Sequence, residues 1–282
     1  MNVAAQAQKA EHLRKLHRGP RILVFANAWD VASARIVEEL GYPAIATTSA
    51  GVAAALGYPD GQLIARSEML DMVGRIAAAV RVPVTADFEA GYGVTVEDMA
   101  DTAKALVSAG AVGLNFEDVT GSDESSHVEI GLQVRKIQKI QEVSASLGVP
   151  LVINARTDIY LMPIGPAGTR FDRTVERLRS YRRAGADCVF APGLSDATTI
   201  AKLVKAVDAP LNILMSAAAP SIRELEKLGV ARVSTGSGLM RAALGHARRV
   251  AKDLAEGGTY SSMIEGAVPF TEMMQLLSRK NS

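Results

Sequence analysis

The chain has a single cysteine, Cys188, so no disulfide can form within it, and a cytoplasmic setting is the expectation. It has no excess of either charge: 31 basic and 30 acidic side chains leave a net +1, which offers nucleic acid no electrostatic footing. No run of about 18 residues is apolar and free of charge, as a membrane-spanning helix requires, so no membrane partner is expected. The first residues carry Glu11, His12, Arg14, Lys15, His17 and Arg18 where a signal peptide has a long apolar centre, and read as an amphipathic charged lead-in. Histidine and cysteine nowhere cluster at zinc-ligand spacing, which disfavours a soft metal.

What is present is one phrase repeated along 282 residues that are 48% hydrophobic and 22% charged. A helical segment ends near Gly or Pro, a short apolar strand follows, and the strand stops at polar or small residues. Gly41, Gly110, Gly148, Gly185 and Gly229 supply left-handed helix caps, and Pro43, Pro83, Pro150 and Pro210 prevent a helix from continuing. The strands fall at 21–27, 44–48, 84–87, 112–117, 151–156, 187–190, 211–214 and 231–234. The helices between and after them fall at 31–40, 67–80, 96–109, 130–147, 172–184, 197–207, 221–228 and 239–256.

Eight such units predict an α/β fold, a (β/α)8 TIM barrel, and the length suits one core of that kind. An open doubly wound sheet is the structural rival. Its dinucleotide-binding version is weakened because Phe25-Ala26-Asn27-Ala28-Trp29-Asp30, not Gly-x-Gly-x-x-Gly, follows the first strand. The expected organisation is a catalytic barrel over 1–256 and a helical tail over 257–282. Tyr260, Ile264, Phe270, Met274 and Leu277 make that tail too apolar to hang in water, so it should pack on this subunit or a neighbour.

Barrel enzymes carry their chemistry at the carboxyl ends of the strands. There this chain offers Asn27, Trp29 and Asp30, then Thr47, Thr48 and Ser49, then Asp87 and Glu89, Glu117 and Asp118, Arg156 and Asp158, and Asn212 or Ser216. Carboxylates converging on one mouth repel unless a cation holds them. Asp87, Glu89 and Glu117 suit Mg²⁺, a hard ion needing only one or two direct carboxylates, with Mn²⁺ as a substitute. The planar fork of Arg156 suits a carboxylate or phosphonate, or else a structural pair with Asp158 or Glu117. The small residues Thr48-Ser49-Ala50-Gly51 let an anion approach the main chain. Gly236-Ser237-Gly238 reads as a tight barrel turn in preference to a phosphate cradle.

These phrases together resemble the isocitrate lyase and phosphoenolpyruvate mutase superfamily. The resemblance rests on Asp30-Val31-Ala32-Ser33-Ala34-Arg35, Thr48-Ser49-Ala50-Gly51-Val52, Leu56-Gly57-Tyr58-Pro59-Asp60, Ala86-Asp87-Phe88-Glu89-Ala90-Gly91-Tyr92-Gly93, Phe116-Glu117-Asp118 and Ala155-Arg156-Thr157-Asp158. It implies a Mg²⁺-dependent barrel acting on a small 2-oxo or 2-hydroxy acid through a pyruvate-like enolate. By position Asp87 would ligate the metal, with Glu89 and Glu117 joining directly or through water. Thr48, Ser49 and Ala50 would hold the substrate's anionic group, Arg156 would clamp it, and Asp60 would border substrate and metal. Asn212 is a further candidate substrate contact. The resemblance also implies a homodimer or homotetramer that exchanges a C-terminal helix.

The segment 119–129 departs from the family. The lyases carry a Cys there and the mutases a Lys, whereas this chain reads Val119-Thr120-Gly121-Ser122-Asp123-Glu124-Ser125-Ser126-His127-Val128-Glu129. Cys188, inside a strand, cannot substitute, and His127 is expected on the surface at a helix start. A carbon–carbon lyase, hydrolase or decarboxylase of a small dicarboxylic acid is the leading reading. Phosphonomutase-type P–C chemistry and a catalytically reduced 2-oxo acid binding protein are the alternatives.

Overall fold

In the computed structural model, eight parallel strands form one sheet in the order β1-β8-β7-β6-β5-β4-β3-β2. They are β1 Leu23–Phe25, β2 Ile45–Ala46, β3 Val84–Asp87, β4 Gly113–Glu117, β5 Val152–Arg156, β6 Cys188–Phe190, β7 Leu211–Leu214 and β8 Arg232–Ser234. The structure describes residues 2–121, 127–162 and 164–278, so 122–126 of the divergent segment and the last four residues of the tail lie outside the described residues.

The sheet closes into a (β/α)8 barrel through a parallel bridge between Ala28 and Thr47, beyond the ends of β1 and β2. Ala28 donates to the Ala46 carbonyl at 2.8 Å and accepts from the Thr48 amide at 3.0 Å. Asn27 reinforces the seam. Its Nδ2 donates to the Thr47 carbonyl at 2.7 Å, and its Oδ1 accepts from the amides of Thr235 at 2.9 Å and Gly236 at 3.1 Å. One amide side chain thus ties β1 to both neighbours.

The helices are α1 Val3–Leu16, α2 Val31–Glu39, α3 Ser49–Ala55, α4 Arg66–Ala79, α5 Asp98–Ser108, α6 Ile130–Ser146, α7 Arg170–Arg183, α8 Ala197–Val207, α9 Ile222–Lys227, α10 Gly238–Lys252, α11 Ser261–Ile264 and α12 Phe270–Ser278. Those named for capping glycines end as expected. After α5, for example, Gly110 takes φ +87°, its amide reaches the Val107 carbonyl, and Ala111 reaches Leu106 at 3.0 Å. After α8 an aspartate, Asp208, takes the left-handed conformation at φ +48° instead.

The charged lead-in proves to be α1, which buries Ala10 and Leu13 in one apolar cluster with Leu23, Phe25, Val112 and Val152. Leu23, Val112 and Val152 lie at or next to the first residues of their strands, so α1 covers the amino end of the barrel. Alternation along the strands sends Ala86, Leu114, Ile153, Val189, Ile213 and Val233 outward into the cluster shared with the helices. It sends Thr85, Asp87, Asn115, Arg156, Arg232 and Ser234 inward, where they line a cavity.

The tail forms α11 and α12, and α12 packs on α2 while burying Leu276. Ile264 and Phe270 stay 62% and 77% exposed, a large apolar surface for a chain standing alone. Among the described residues no helix is long and apolar enough to cross a membrane.

Candidate active site

β3 ends on Asp87, whose position is over-determined. Its Oδ2 accepts from the backbone amide and the hydroxyl of Ser49, each at 2.9 Å, and its Oδ1 accepts from Asn115 Nδ2 at 2.8 Å. Its own amide donates to Thr47 Oγ1 at 2.8 Å. Asn115 is held in turn by Asn154 Nδ2 at 2.9 Å, so a ladder of inward-facing amides from β4 and β5 orients this carboxylate.

The turn after Asp87 is built around left-handed backbone. Glu89 takes φ +49° and Tyr92 φ +54°, conformations that cost energy for side chains with a Cβ. Their surroundings hold them there. The Glu117 amide donates to the Glu89 carbonyl at 3.0 Å, the Tyr92 hydroxyl donates to Glu89 Oε1 at 3.0 Å, and the Tyr92 amide donates to Gln62 Oε1 at 2.8 Å. Gly91 must be glycine, since a Cβ would sit 2.9 Å from the Phe116 ring at φ +89°.

Arg156 closes β5 as the hub of a buried charge cluster. Its Nε and Nη2 donate to the two oxygens of Asp158 at 2.6 and 2.7 Å, and Nη1 reaches Glu117 Oε2 at 2.7 Å. Both of the structural pairs anticipated for Arg156 therefore form, and the guanidinium still lines the cavity. Behind it Asp118 is buried, receiving Tyr181 Oη at 2.6 Å, Arg177 Nη1 at 3.0 Å and the Asp158 amide at 3.2 Å.

His127 corrects the expectation of a surface residue. Its side chain is 4% exposed and its Nε2 stands 3.0 Å from Asp118 Oδ2. The buried carboxylate draws the imidazole inward, and the Val128 amide bonds to the Asp118 carbonyl at 2.8 Å. The divergent segment is therefore pinned at its far end to the wall behind Arg156.

Thr48, Ser49, Ala50, Asp60, Asp87 and Arg156 meet on one side of the cavity, whose volume is about 210 Å³. Glu89 and Glu117 are not on its wall; they stand behind it, against Tyr92 and Arg156. Asn212 is fully buried and exchanges hydrogen bonds with the Ser234 hydroxyl, away from the cavity surface. Thr48 caps α3 and Ser49 gives its amide to Asp87, so that amide is not free for an anion. Ser237 precedes α10 beside the cavity, and Gly236 is fixed by Asn27 at φ +53°, the tight turn the sequence suggested.

The acids are crowded enough to move one another's protonation. Burial, then the charges of Asp87 and Asp60, push the Glu89 carboxyl up to about 7. Burial and Asp87 likewise raise Asp60, against the pull of Arg156. Burial raises Glu117 well above the carboxylate range although Arg156 pulls the other way. A cation would relieve this repulsion.

The donor set suits a hard ion. Among the described residues no three His, Cys, Asp or Glu side chains stand close enough to enclose a metal. Asp87 on the wall, with Asp60 and the Ser49 hydroxyl beside it, could supply direct oxygens to an ion that keeps several waters, with Glu89 behind.

Sequence reasoning missed Asn115, which orients Asp87, and Arg232, which lines the opposite wall. The available signal was a polar or charged residue at an inward position of an otherwise apolar strand.

The model of the phosphoenolpyruvate phosphomutase family matches residues 13–255. Among solved structures, a Burkholderia cenocepacia J2315 protein provisionally described as a lyase or mutase superposes with a TM-score of 0.90 at 37% identity, covering 98% of both chains. An uncharacterized protein of Mycobacterium tuberculosis strain H37Rv is 32% identical over 93% of this chain and 94% of its own length. The oxaloacetate decarboxylase of Bradyrhizobium diazoefficiens is 28% identical over 93% of this chain and 87% of its own. The chain belongs to the phosphoenolpyruvate phosphomutase family of enzymes, within the isocitrate lyase/phosphoenolpyruvate mutase superfamily that its strand-end motifs resemble.

Proposed function

We propose that the chain is a Mg²⁺-dependent carbon–carbon lyase acting on a small 2-oxo or 2-hydroxy dicarboxylic acid, with decarboxylation of a 2-oxo diacid the simplest case. One observation carries this reading: a carboxylate edge, Asp60 and Asp87, and a fixed guanidinium, Arg156, line the same side of one small cavity. When bound at that edge, Mg²⁺ supplies positive charge where negative charge develops on the substrate as its carbon–carbon bond breaks. Mn²⁺ would serve the same purpose.

The protein's own groups do the rest. Arg156, with the Thr48 hydroxyl and the Ala50 amide of the turn, positions the substrate's anionic group, while Ser49 is committed to Asp87. Arg156 cannot swing away, because Asp158 and Glu117 grip it, and such preset donors cost little reorganisation during reaction. Burial and the charge of Asp87 raise the Asp60 carboxyl, so Asp60 is the group at the cavity wall best placed to exchange a proton with the substrate. In decarboxylation the bond to the departing carboxylate breaks, the carboxylate leaves as CO₂, and the bond's electron pair stays on the adjacent carbon, which takes up one proton from water by way of Asp60. The Bradyrhizobium relative's activity on oxaloacetate supports the substrate class.

Turnover of oxaloacetate, 2-methylisocitrate, isocitrate and phosphonopyruvate, each with Mg²⁺ and with EDTA, tests this. Mg²⁺-dependent loss of a 2-oxo or 2-hydroxy diacid is expected. Equal rates with EDTA would remove the metal from the reading, and turnover of phosphonopyruvate alone would move it to P–C chemistry. We also infer a homodimer or homotetramer joined through the exposed faces of α11 and α12; deletion of 258–282 should lower the native mass or cause aggregation, and an unchanged mass counts against it.

A further inference from the structure

Arg232 lies on β8 in the barrel interior, 3% exposed, and lines the cavity across from the acid edge. Its Nε donates to Ser234 Oγ at 3.2 Å, its Nη1 meets His17 Nε2 at 3.4 Å, and its guanidinium lies 4.4 Å over the Phe25 ring. His17 belongs to the end of α1, at the covered amino end of the barrel, so Arg232 stands at the cavity floor. The imidazole is neutral: Nδ1 donates to the Leu13 carbonyl at 2.9 Å, which leaves Nε2 as the acceptor for Arg232.

None of these partners carries negative charge. Among the described residues Arg232 forms no ion pair and its Nη2 has no acceptor, whereas Arg156 and Arg177 are each matched by carboxylates. With no carboxylate in contact, the buried guanidinium is under-compensated: the aromatic face, two neutral hydrogen bonds and the more distant charge of Asp87 offset its lost hydration only in part. Burial brings its pKa down to about 10, so it remains charged near neutral pH.

We propose that Arg232 anchors an anion subsite at the cavity floor and takes the substrate carboxylate remote from the acid edge. This rests on the lyase reading for the other end of the substrate only. It makes Arg232 the residue that selects dicarboxylates over monocarboxylates sharing the same head.

L-Malate and L-lactate share a 2-hydroxy acid head and differ in the second carboxylate, so calorimetric binding of each with Mg²⁺ isolates the subsite. Wild type should prefer malate by at least about 10-fold, and Arg232→Met should weaken malate by about 10- to 100-fold, the scale of a lost charged hydrogen bond, while sparing lactate. Arg232→Lys should fall between them. Equal weakening of both ligands, or no preference in wild type, overturns the proposal. Should Arg232→Met fail to fold, Arg232→Lys carries the same comparison. Succinate without metal separates this from the lyase reading. Arg232-dependent succinate binding in a protein that turns over no 2-oxo acid would sink the lyase reading and sustain the subsite, and succinate binding unaffected by Arg232 would overturn the subsite.

Discussion

Arg156 and Arg232 come from register-matched positions, Arg156 opposite Phe190, Phe190 opposite Asn212, and Asn212 opposite Arg232, and both guanidinium groups line one cavity. Their surroundings are opposite. Arg156 is gripped by two carboxylates in a half of the mouth that also holds Asp60 and Asp87, with Glu89 behind them, so carboxyl groups are in surplus there. Arg232 meets only an aromatic face, a hydroxyl and a neutral imidazole. One side of the cavity therefore calls for a cation and the other for an anion. A ligand that chelates a metal at one end and carries a carboxylate at the other satisfies both.

The largest effect that could break this comparison is at Asp87. Asp87→Ala should reduce kcat/KM by about 10³-fold or more, the scale of removing an electrostatic group aimed at developing charge. It should also abolish the dependence of rate on Mg²⁺ concentration. A variant retaining both would show that the acid edge is not the metal edge.

Next is stability, where the two arginines should part. Arg156→Met leaves Glu117 and Asp158 without their counter-charge and should cost about 3–5 kcal/mol in urea unfolding. The loss should shrink as pH falls, because Glu117 is already shifted toward its protonated form. Arg232→Met strands no carboxylate and should be neutral or stabilising. Equal losses would show that Arg232 has a counter-charge of its own.

A smaller effect follows from His17, held at about 3 by burial first and the charge of Arg232 second. Its folded pKa lies below the unfolded value near 6.5, so the stability linked to the neutral imidazole is intact above pH 6.5 and is lost as pH falls toward 3. His17→Gln should remove that part of the acid-side loss in a series of melting temperatures against pH. Arg232→Met, by removing the second cause, should raise the folded pKa of His17, so that the loss is smaller and ends at a higher pH while its onset near 6.5 stays in place. An unchanged acid limb in both variants would mean that His17 is not the group responsible.

The barrel was legible because capping glycines and prolines punctuate each unit, and local backbone sterics decide those positions whatever the tertiary fold. That Asp87 and Arg156 share one cavity was legible because strand ends in a barrel meet at one mouth; Asp60, in the loop after α3, came only from the family resemblance. The distinction between wall and second row was not legible, since it depends on which way Glu89 and Glu117 turn, and Glu89 turns through left-handed backbone that its residue type does not announce. His127 was misjudged for a related reason. Its partner, Asp118, is adjacent along the chain only to the strand end, and the burial of that carboxylate is set by α7 through Arg177 and Tyr181. Arg232 was in view within β8, but its lack of a counter-charge is a property of three-dimensional surroundings.

The smallest predicted effect separates holding a group from being one. Asn115 touches neither the turn at Thr48 nor Arg156; its Nδ2 fixes Asp87 Oδ1, while its Oδ1 is occupied by Asn154. Asn115→Ala should therefore leave Asp87 in place through Ser49 but free to rotate, reducing kcat/KM by about 10-fold, the lower end for an orienting partner behind a metal ligand. Stability should fall by about 2 kcal/mol, the net worth of the two hydrogen bonds lost, to Asp87 and from Asn154. The apparent affinity for Mg²⁺ should weaken, while the malate-over-lactate preference assigned to Arg232 stays unchanged. A loss of that preference on Asn115→Ala would mean that the two sides of the cavity are coupled through the amide ladder of β4 and β5, and the acid edge and the floor would then have to be treated as one site.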